Sequence, residues 1–162
     1  MVVLVADTSV LVDLEHGGLL QVVFLAGLPL VVPDLLYEKE LADRNGPYLQ
    51  TLGLAVIELT PTEMSLVQGL KNSGAGLSLP DCYALACATR PGHSLSTGDQ
   101  KLRKAAENRG VEVHGVLWLL DLLADAGVAC ESLAQGLISI RDHPKCQLPK
   151  DEIALRIAKW SR

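Results

Sequence analysis

Asp7, Asp34, Glu38, Glu40, Asp81 and Asp99 are the residues of this chain whose type and placement point to chemistry. Asp7 ends an apolar run, Val2-Val3-Leu4-Val5-Ala6, that reads as a short strand buried on both faces. Thr8 and Ser9 follow, both suited to opening a helix. Asp34, Glu38 and Glu40 fall in the helical stretch after a second apolar run, and Asp81 stands in the first turn of a later helix. Asp99 lies just past another short strand. In an open parallel sheet such strand ends and helix starts share one rim, the edge where ligands bind. Acids gathered there repel, each close pair by about 4 kcal/mol at an effective dielectric of 20. Such a cluster is neutralised by a cation or keeps some members protonated. Oxygen donors without His or Cys favour Mg²⁺ or Mn²⁺ over zinc. Each acid also has a local role open to it: Ser78-x-x-Asp81 is a capping-box pattern, Asp99 suits an N-cap, and Glu38 and Glu40 suit solvated helix positions.

The elements that must position these acids alternate. Strands are predicted at 2–5, 28–32, 54–59, 93–96 and 111–114, and helices at 8–15, 19–26, 35–42, 79–89 and 100–109. Residues 43–48, with Asn45-Gly46-Pro47, read as a polar loop. Thr60-Pro61-Thr62-Glu63 is a capping box with Pro at the first helical position, so a helix runs on from it and breaks at 72–76. Three more helical stretches follow at 116–126, 132–141 and 151–160. Alternation without tight hairpin signals predicts an α/β fold, a parallel sheet with helices on both faces and right-handed crossovers. Residues 1–162 read as a single domain, with 116–162 a C-terminal helical extension.

The 162 residues carry a net charge of −5. That opposes non-specific nucleic-acid binding through bulk electrostatics, although acids that bind cations contribute to it themselves. Apolar residues make up 49% of the chain, an excess consistent with a buried partner surface such as a dimer face. Cys82, Cys87, Cys130 and Cys146 form no C-x-x-C pair, so a zinc site is not expected and a reduced, cytoplasmic setting is. The most apolar stretch, 19–32, is too short to cross a membrane, and the first strand does not read as a signal peptide. Lys101, Arg103, Lys104 and Arg109 cluster on and after the helix that follows Asp99; they suit phosphates beside the acids, or simply a solvated basic face. Arg90 and His93 are weaker candidates for the same contacts.

Four segments taken in order carry a resemblance: Asp7-Thr8-Ser9-Val10-Leu11, Val32-Pro33-Asp34-Leu35-Leu36-Tyr37-Glu38, Leu79-Pro80-Asp81-Cys82-Tyr83-Ala84-Leu85-Ala86, and Leu95-Ser96-Thr97-Gly98-Asp99-Gln100-Lys101-Leu102. Together, over about residues 2–115, they resemble the PIN-domain nucleases, in particular the VapC-type toxins of toxin–antitoxin pairs. The resemblance implies a PIN-like three-layer α/β/α sandwich with a five-stranded sheet of order 3-2-1-4-5, and metal-dependent cleavage of RNA. By position it implies that Asp7, Glu38, Asp81 and Asp99 hold the Mg²⁺ or Mn²⁺, with Thr8, Ser9 and Thr97 supporting them through hydroxyl groups. Glu38 is preferred over Glu40 on distance from the Val-Pro pair alone, and Glu40 stays open. Ser9 stands where many members carry Asn, and Gln100 and Lys101 stand where some carry a further acid, which weakens a second metal site.

The resemblance thus implies a metal-dependent endoribonuclease, the toxin of a type II toxin–antitoxin pair, with RNA as substrate, a cognate antitoxin as partner, and a homodimer. A housekeeping RNA-processing nuclease and a non-catalytic module binding RNA or protein are the alternatives. A phosphoacceptor receiver domain is disfavoured, since Asp7 stands alone and no Lys follows Val113; Asp-x-Asp phosphatases are disfavoured by Ser9. In the extension, Trp118, Leu119, Leu122 and Leu123 form one apolar stripe and Leu133, Leu137 and Ile140 another. Ile153, Leu155, Ile157 and Trp160 mark the last helix, which suits packing onto the domain or a helix-in-groove partner.

Overall fold

Leu4, Val5 and Ala6 are all buried, which requires cover on both faces of the strand they form. That strand, β1 (Val3–Ala6), is the centre of an all-parallel sheet. The computed structural model describes residues 2–162; Met1, the first residue of the expected domain, lies outside the described residues. With β2 (Leu30–Pro33), β3 (Ala55–Ile57), β4 (His93–Ser96) and β5 (Val113–His114), the sheet has the order β3-β2-β1-β4-β5. This is the PIN-like order and layering expected. Register pairs Leu4 with Leu30 on one side of β1, and Ala6 with Ser96 on the other.

The chain steps from β1 to β2 to β3 in one direction, then crosses back to β4 and on to β5. Right-handed crossovers therefore put the intervening helices on opposite faces. α1 (Thr8–His16), α2 (Leu20–Leu25), α3 (Asp34–Leu36) and α4 (Gly46–Leu52) belong to the first set of connections. α5 (Pro61–Asn72), α6 (Leu79–Ala88) and α7 (Gln100–Asn108) belong to the second. After β5 come α8 (Val116–Asp125), α9 (Cys130–Asp142) and α10 (Lys150–Trp160); α8 and α9 pack against α1, and α10 packs against α9. The strand order reverses at β1, so the carboxyl ends of β1 and β4 form the crevice where a ligand site is expected.

Two local features depart from the expected pattern. The helix expected at 35–42 is only one turn of α-helix, α3, before it widens into a π-helical turn, Tyr37–Leu41, closed by the Ala42 N–H donating to the Tyr37 carbonyl at 2.8 Å. The loop expected at 43–48 gives way at Gly46 to α4, because Pro47 suits a helix's first turn, where its missing N–H costs nothing. Gly46 has no room for a side chain: a Cβ would sit 2.5 Å from the Leu41 carbonyl oxygen and 2.7 Å from the Tyr37 ring. Gly46→Ala is therefore expected to destabilise the fold by about 1–3 kcal/mol, measured by urea denaturation, because backbone rather than a flexible side-chain tip must move.

Ion pairs fix two corners. Glu63, buried on α5, takes the Arg90 guanidinium on both oxygens, at 2.6 Å from Nε and 2.7 Å from Nη2, while completing the capping box with Thr60. The Arg90 hydrogen bonds hold the Glu63 carboxyl below its usual range. Arg90 is committed to this pair and to the Glu58 carbonyl, and His93 Nδ1 lies 2.9 Å from the Pro91 carbonyl; neither lines the crevice. Arg156 of α10 similarly grips Asp121 of α8 with two hydrogen bonds. Leu133, Leu137 and Ile140 of α9, with Ile153 and Trp160 of α10, are buried, so most of the apolar tail packs back onto the domain; Leu155 is left exposed. No helix among the described residues is long and apolar enough to cross a membrane. Cys82 and Cys87 are buried as free thiols, and burial pushes Cys87 up to about 12, which makes it inert.

Candidate active site

Because Ala6 and Ser96 are paired, the residues that follow them, Asp7 and Thr97, emerge side by side at the carboxyl rim. Both are buried: Asp7 is 6% exposed and Thr97 0%. The Thr97 hydroxyl donates to Asp7 Oδ2 at 2.8 Å, and the Ser9 hydroxyl donates to the same oxygen at 2.9 Å. Asp7 occupies the N-cap position of α1, yet its side chain caps no backbone N–H. Burial raises the pKa of its carboxyl and the nearby Asp81 charge adds to the effect, against the lowering by the two hydroxyl bonds. A carboxylate made costly by desolvation and by another acid is characteristic of a functional position.

The cleft in front of Asp7 encloses about 410 Å³. Asp81 reaches it from the first turn of α6, where its Oδ2 accepts from the Ser78 N–H at 3.1 Å and the Ser78 hydroxyl accepts in return from the Asp81 N–H. Asp99 reaches it from the N-cap of α7, where its Oδ1 accepts from the N–H groups of Lys101 and Leu102 at 2.8 and 3.1 Å. Its own N–H donates to Thr97 Oγ1 at 3.0 Å, which, through the Thr97 bond to Asp7, ties the fourth motif to the first. The local roles open to Asp81 and Asp99 in the sequence are thus both real, and both residues still face the cleft.

The second motif contributes Glu40. Its Oε1 accepts from the Thr8 hydroxyl at 2.7 Å, and it lines the cleft. Glu38, the acid expected in that place, is exposed and outside the cleft. Two residues apart, the two side chains diverge by about 200° around a helix, so only one can face Thr8. The π-helical turn sets which one. Asp34 lies at the first turn of α3, where its Oδ1 accepts from the Leu35 N–H, and it is not in the cleft either.

The side-chain hydrogen bonds found among the described residues fall on a single oxygen of each acid: Asp7 by Thr97 and Ser9, Glu40 by Thr8, Asp81 by Ser78, and Asp99 by Lys101 and Leu102. Such outer bonds orient a carboxylate while leaving lone pairs for another ligand. No three His, Cys, Asp or Glu among the described residues stand close enough to form a ready-made ion site. The four acids lining the cleft are nonetheless an all-oxygen, anionic donor set, which suits a hard divalent cation in its chemistry.

The sequence reading missed Asp13 and His16 in the cleft, although Ser9, Val12, Asp13 and His16 share one face of α1 at helical spacing. Burial raises the Asp13 pKa, and His16 and His143 oppose that. It also missed Lys145, Gln147 and Leu148, which arrive from the connection between α9 and α10. No local signal marks them; they depend on α9 seating against the end of α1. There Gly17 and Gly136 permit near-contact, since a Cβ on Gly136 would meet Leu19 at 2.7 Å. Lys101 and Lys104 line a separate groove of about 330 Å³ with Ala75, Ala105 and Asn108, while Arg103 lies 3.8 Å from Glu107 in an i,i+4 pair. Searches of curated proteins and of solved structures return no match. A family model described as a PIN domain matches residues 3–162, which takes in the helices after β5 as well as the four motifs.

Proposed function

The chain belongs to the PIN-domain family, a nuclease fold whose members generally use divalent metals, and on that premise we propose that it is a Mg²⁺- or Mn²⁺-dependent endoribonuclease. The observation that carries the proposal is the convergence of Asp7, Glu40, Asp81 and Asp99 on one cleft at the carboxyl rim. In this reading those four hold the metal, with Glu40 in the place first given to Glu38. A divalent ion there supplies an activated water and neutralises charge on a phosphodiester. Thr97 and Ser9 keep Asp7 aimed and ionisable in a buried setting, and Thr8 does the same for Glu40. Lys101 and Lys104, unpaired among the described residues and lining one groove, are the preferred RNA contacts. Arg103, already paired with Glu107, ranks below them.

The biological setting we propose is the toxin of a type II toxin–antitoxin pair, acting in the cytoplasm as a homodimer, with a cognate antitoxin as partner. A non-catalytic RNA- or protein-binding module is the second reading, favoured by Gln100 and Lys101 standing where a further acid would complete a second ion site. The test is cleavage of a mixed RNA pool by the full chain with and without Mn²⁺. Metal-dependent cuts are the expected result; metal binding with an intact pool would favour the non-catalytic module.

A further inference from the structure

Lys145 lies on the α9–α10 connection, far from the four motifs in sequence, yet it lines the cleft with Asp7, Asp13, Glu40, Asp81 and Asp99. Its side chain enters no ion pair or hydrogen bond among the described residues, although five carboxylates share its cleft. The connection itself is tied down. The Lys145 N–H donates to His143 Nδ1 at 3.1 Å, and the Cys146 N–H donates to the His143 carbonyl at 3.0 Å. The His143 ring, its Nδ1 accepting, stacks on His16 of α1, centroids 3.5 Å apart and planes within 11°. Leu148 packs against the core beyond it. Lys145 is thus an exposed ammonium, unpaired among the described residues, carried by a tied-down backbone on the helical layer opposite α7.

We propose that Lys145 is a substrate-binding residue that contacts an RNA backbone phosphate next to the cleft, with the His16–His143 stack as the strut that positions it. The inference rests on the nuclease reading above. A polyanion approaching five carboxylates needs a cation beside them; among the described residues Lys145 is the one Lys or Arg that lines this cleft, while Lys101 and Lys104 of α7 line a separate groove. The contact is with phosphate rather than a base, so it carries no sequence preference.

The test measures binding of a fluorescently labelled, mixed-sequence single-stranded RNA to the full chain carrying Asp7→Asn, which prevents cleavage, across a salt series. Adding Lys145→Gln is expected to weaken binding about five-fold at low salt and to reduce the salt slope by about 0.7, the value for one lost phosphate contact on a single strand. Lys145→Arg retains both affinity and slope, and Lys159→Gln on the exposed side of α10 changes neither. Unchanged affinity and slope for Lys145→Gln, with the parent binding RNA, overturns the inference and leaves the nuclease reading standing. Tighter Mn²⁺ binding by Lys145→Gln in the otherwise wild-type chain, again with unchanged RNA affinity, also overturns it, because the lysine is then a counter-ion for the acids. If the parent binds no RNA and the wild type cuts none, the nuclease reading falls and the inference falls with it.

Discussion

Asp7→Asn is expected to lose metal-dependent RNA cleavage by about 10³-fold or more and, at neutral pH, to melt at a higher temperature than the wild type. The two effects share one cause. Asp7 is buried, and its folded pKa is raised above the ordinary carboxyl value of 3.8 by desolvation first and by Asp81 in addition. A group with a raised folded pKa contributes stability that is fully present below 3.8 and is lost as pH rises through the folded value. At neutral pH the ionised carboxylate therefore works against the fold. Asn keeps an oxygen for the Thr97 and Ser9 hydroxyls and removes the charge, so the melting-temperature advantage of the variant grows as pH rises above 3.8 and levels off once the wild-type carboxyl is ionised. Mn²⁺ adds the discriminating arm: it raises the melting temperature of the wild type by mass action and has a much smaller effect on the variant. Thermal melts from acid to neutral pH, with and without Mn²⁺, check the stability arm, and initial rates on the RNA pool check the activity arm. Retained metal-dependent cleavage by Asp7→Asn would falsify the role given to Asp7.

Most of the scaffold was legible because its signals are local. The apolar run at β1, the capping boxes at Thr60 and Ser78, and the Asp99 cap each specify an element from a handful of neighbouring residues, and the alternation of elements specifies a parallel sheet. Once β1 and β4 are adjacent, Asp7 and Thr97 meet as a matter of register, so the first, third and fourth motifs could be placed before the fold was seen. The second motif could not. Glu38 and Glu40 differ by about 200° in helical phase, and the π-helical widening between Tyr37 and Leu41 has no composition that announces it. The α4 helix was hidden for a different reason: Asn45-Gly46-Pro47 suits both a turn and a helix start, and the close approach of Gly46 to Leu41, a tertiary contact, decides between them. The wall of the cleft built from Lys145, Gln147 and Leu148 was the least accessible. It is set by helix packing at Gly17 and Gly136, more than a hundred residues apart in the chain.

That ambiguity in the second motif makes the paired variants Glu40→Gln and Glu38→Gln the sharpest test of the site. Glu40→Gln is expected to lower cleavage by about 10²-fold or more, while Glu38→Gln stays within about two-fold of wild type. Glu38 is exposed and lies outside the cleft, so its loss removes one solvated charge. Glu40 is partly buried, receives the Thr8 hydroxyl at 2.7 Å on Oε1, and lines the cleft. Gln preserves that hydrogen bond and the volume, so a stable but inactive Glu40→Gln isolates the missing negative charge rather than a packing defect. Thr8→Val supplies the third point. It leaves the Glu40 charge and removes only the hydroxyl that orients it, and is expected to weaken Mn²⁺ affinity by about ten-fold, read by metal titration as well as by rate. The order Glu40→Gln, then Thr8→Val, then Glu38→Gln in severity is what a cleft-facing carboxylate held by Thr8 requires. The reverse order for the two glutamates would mean that the working register of this segment is α-helical, and that the π-helical turn must unwind before the site is assembled.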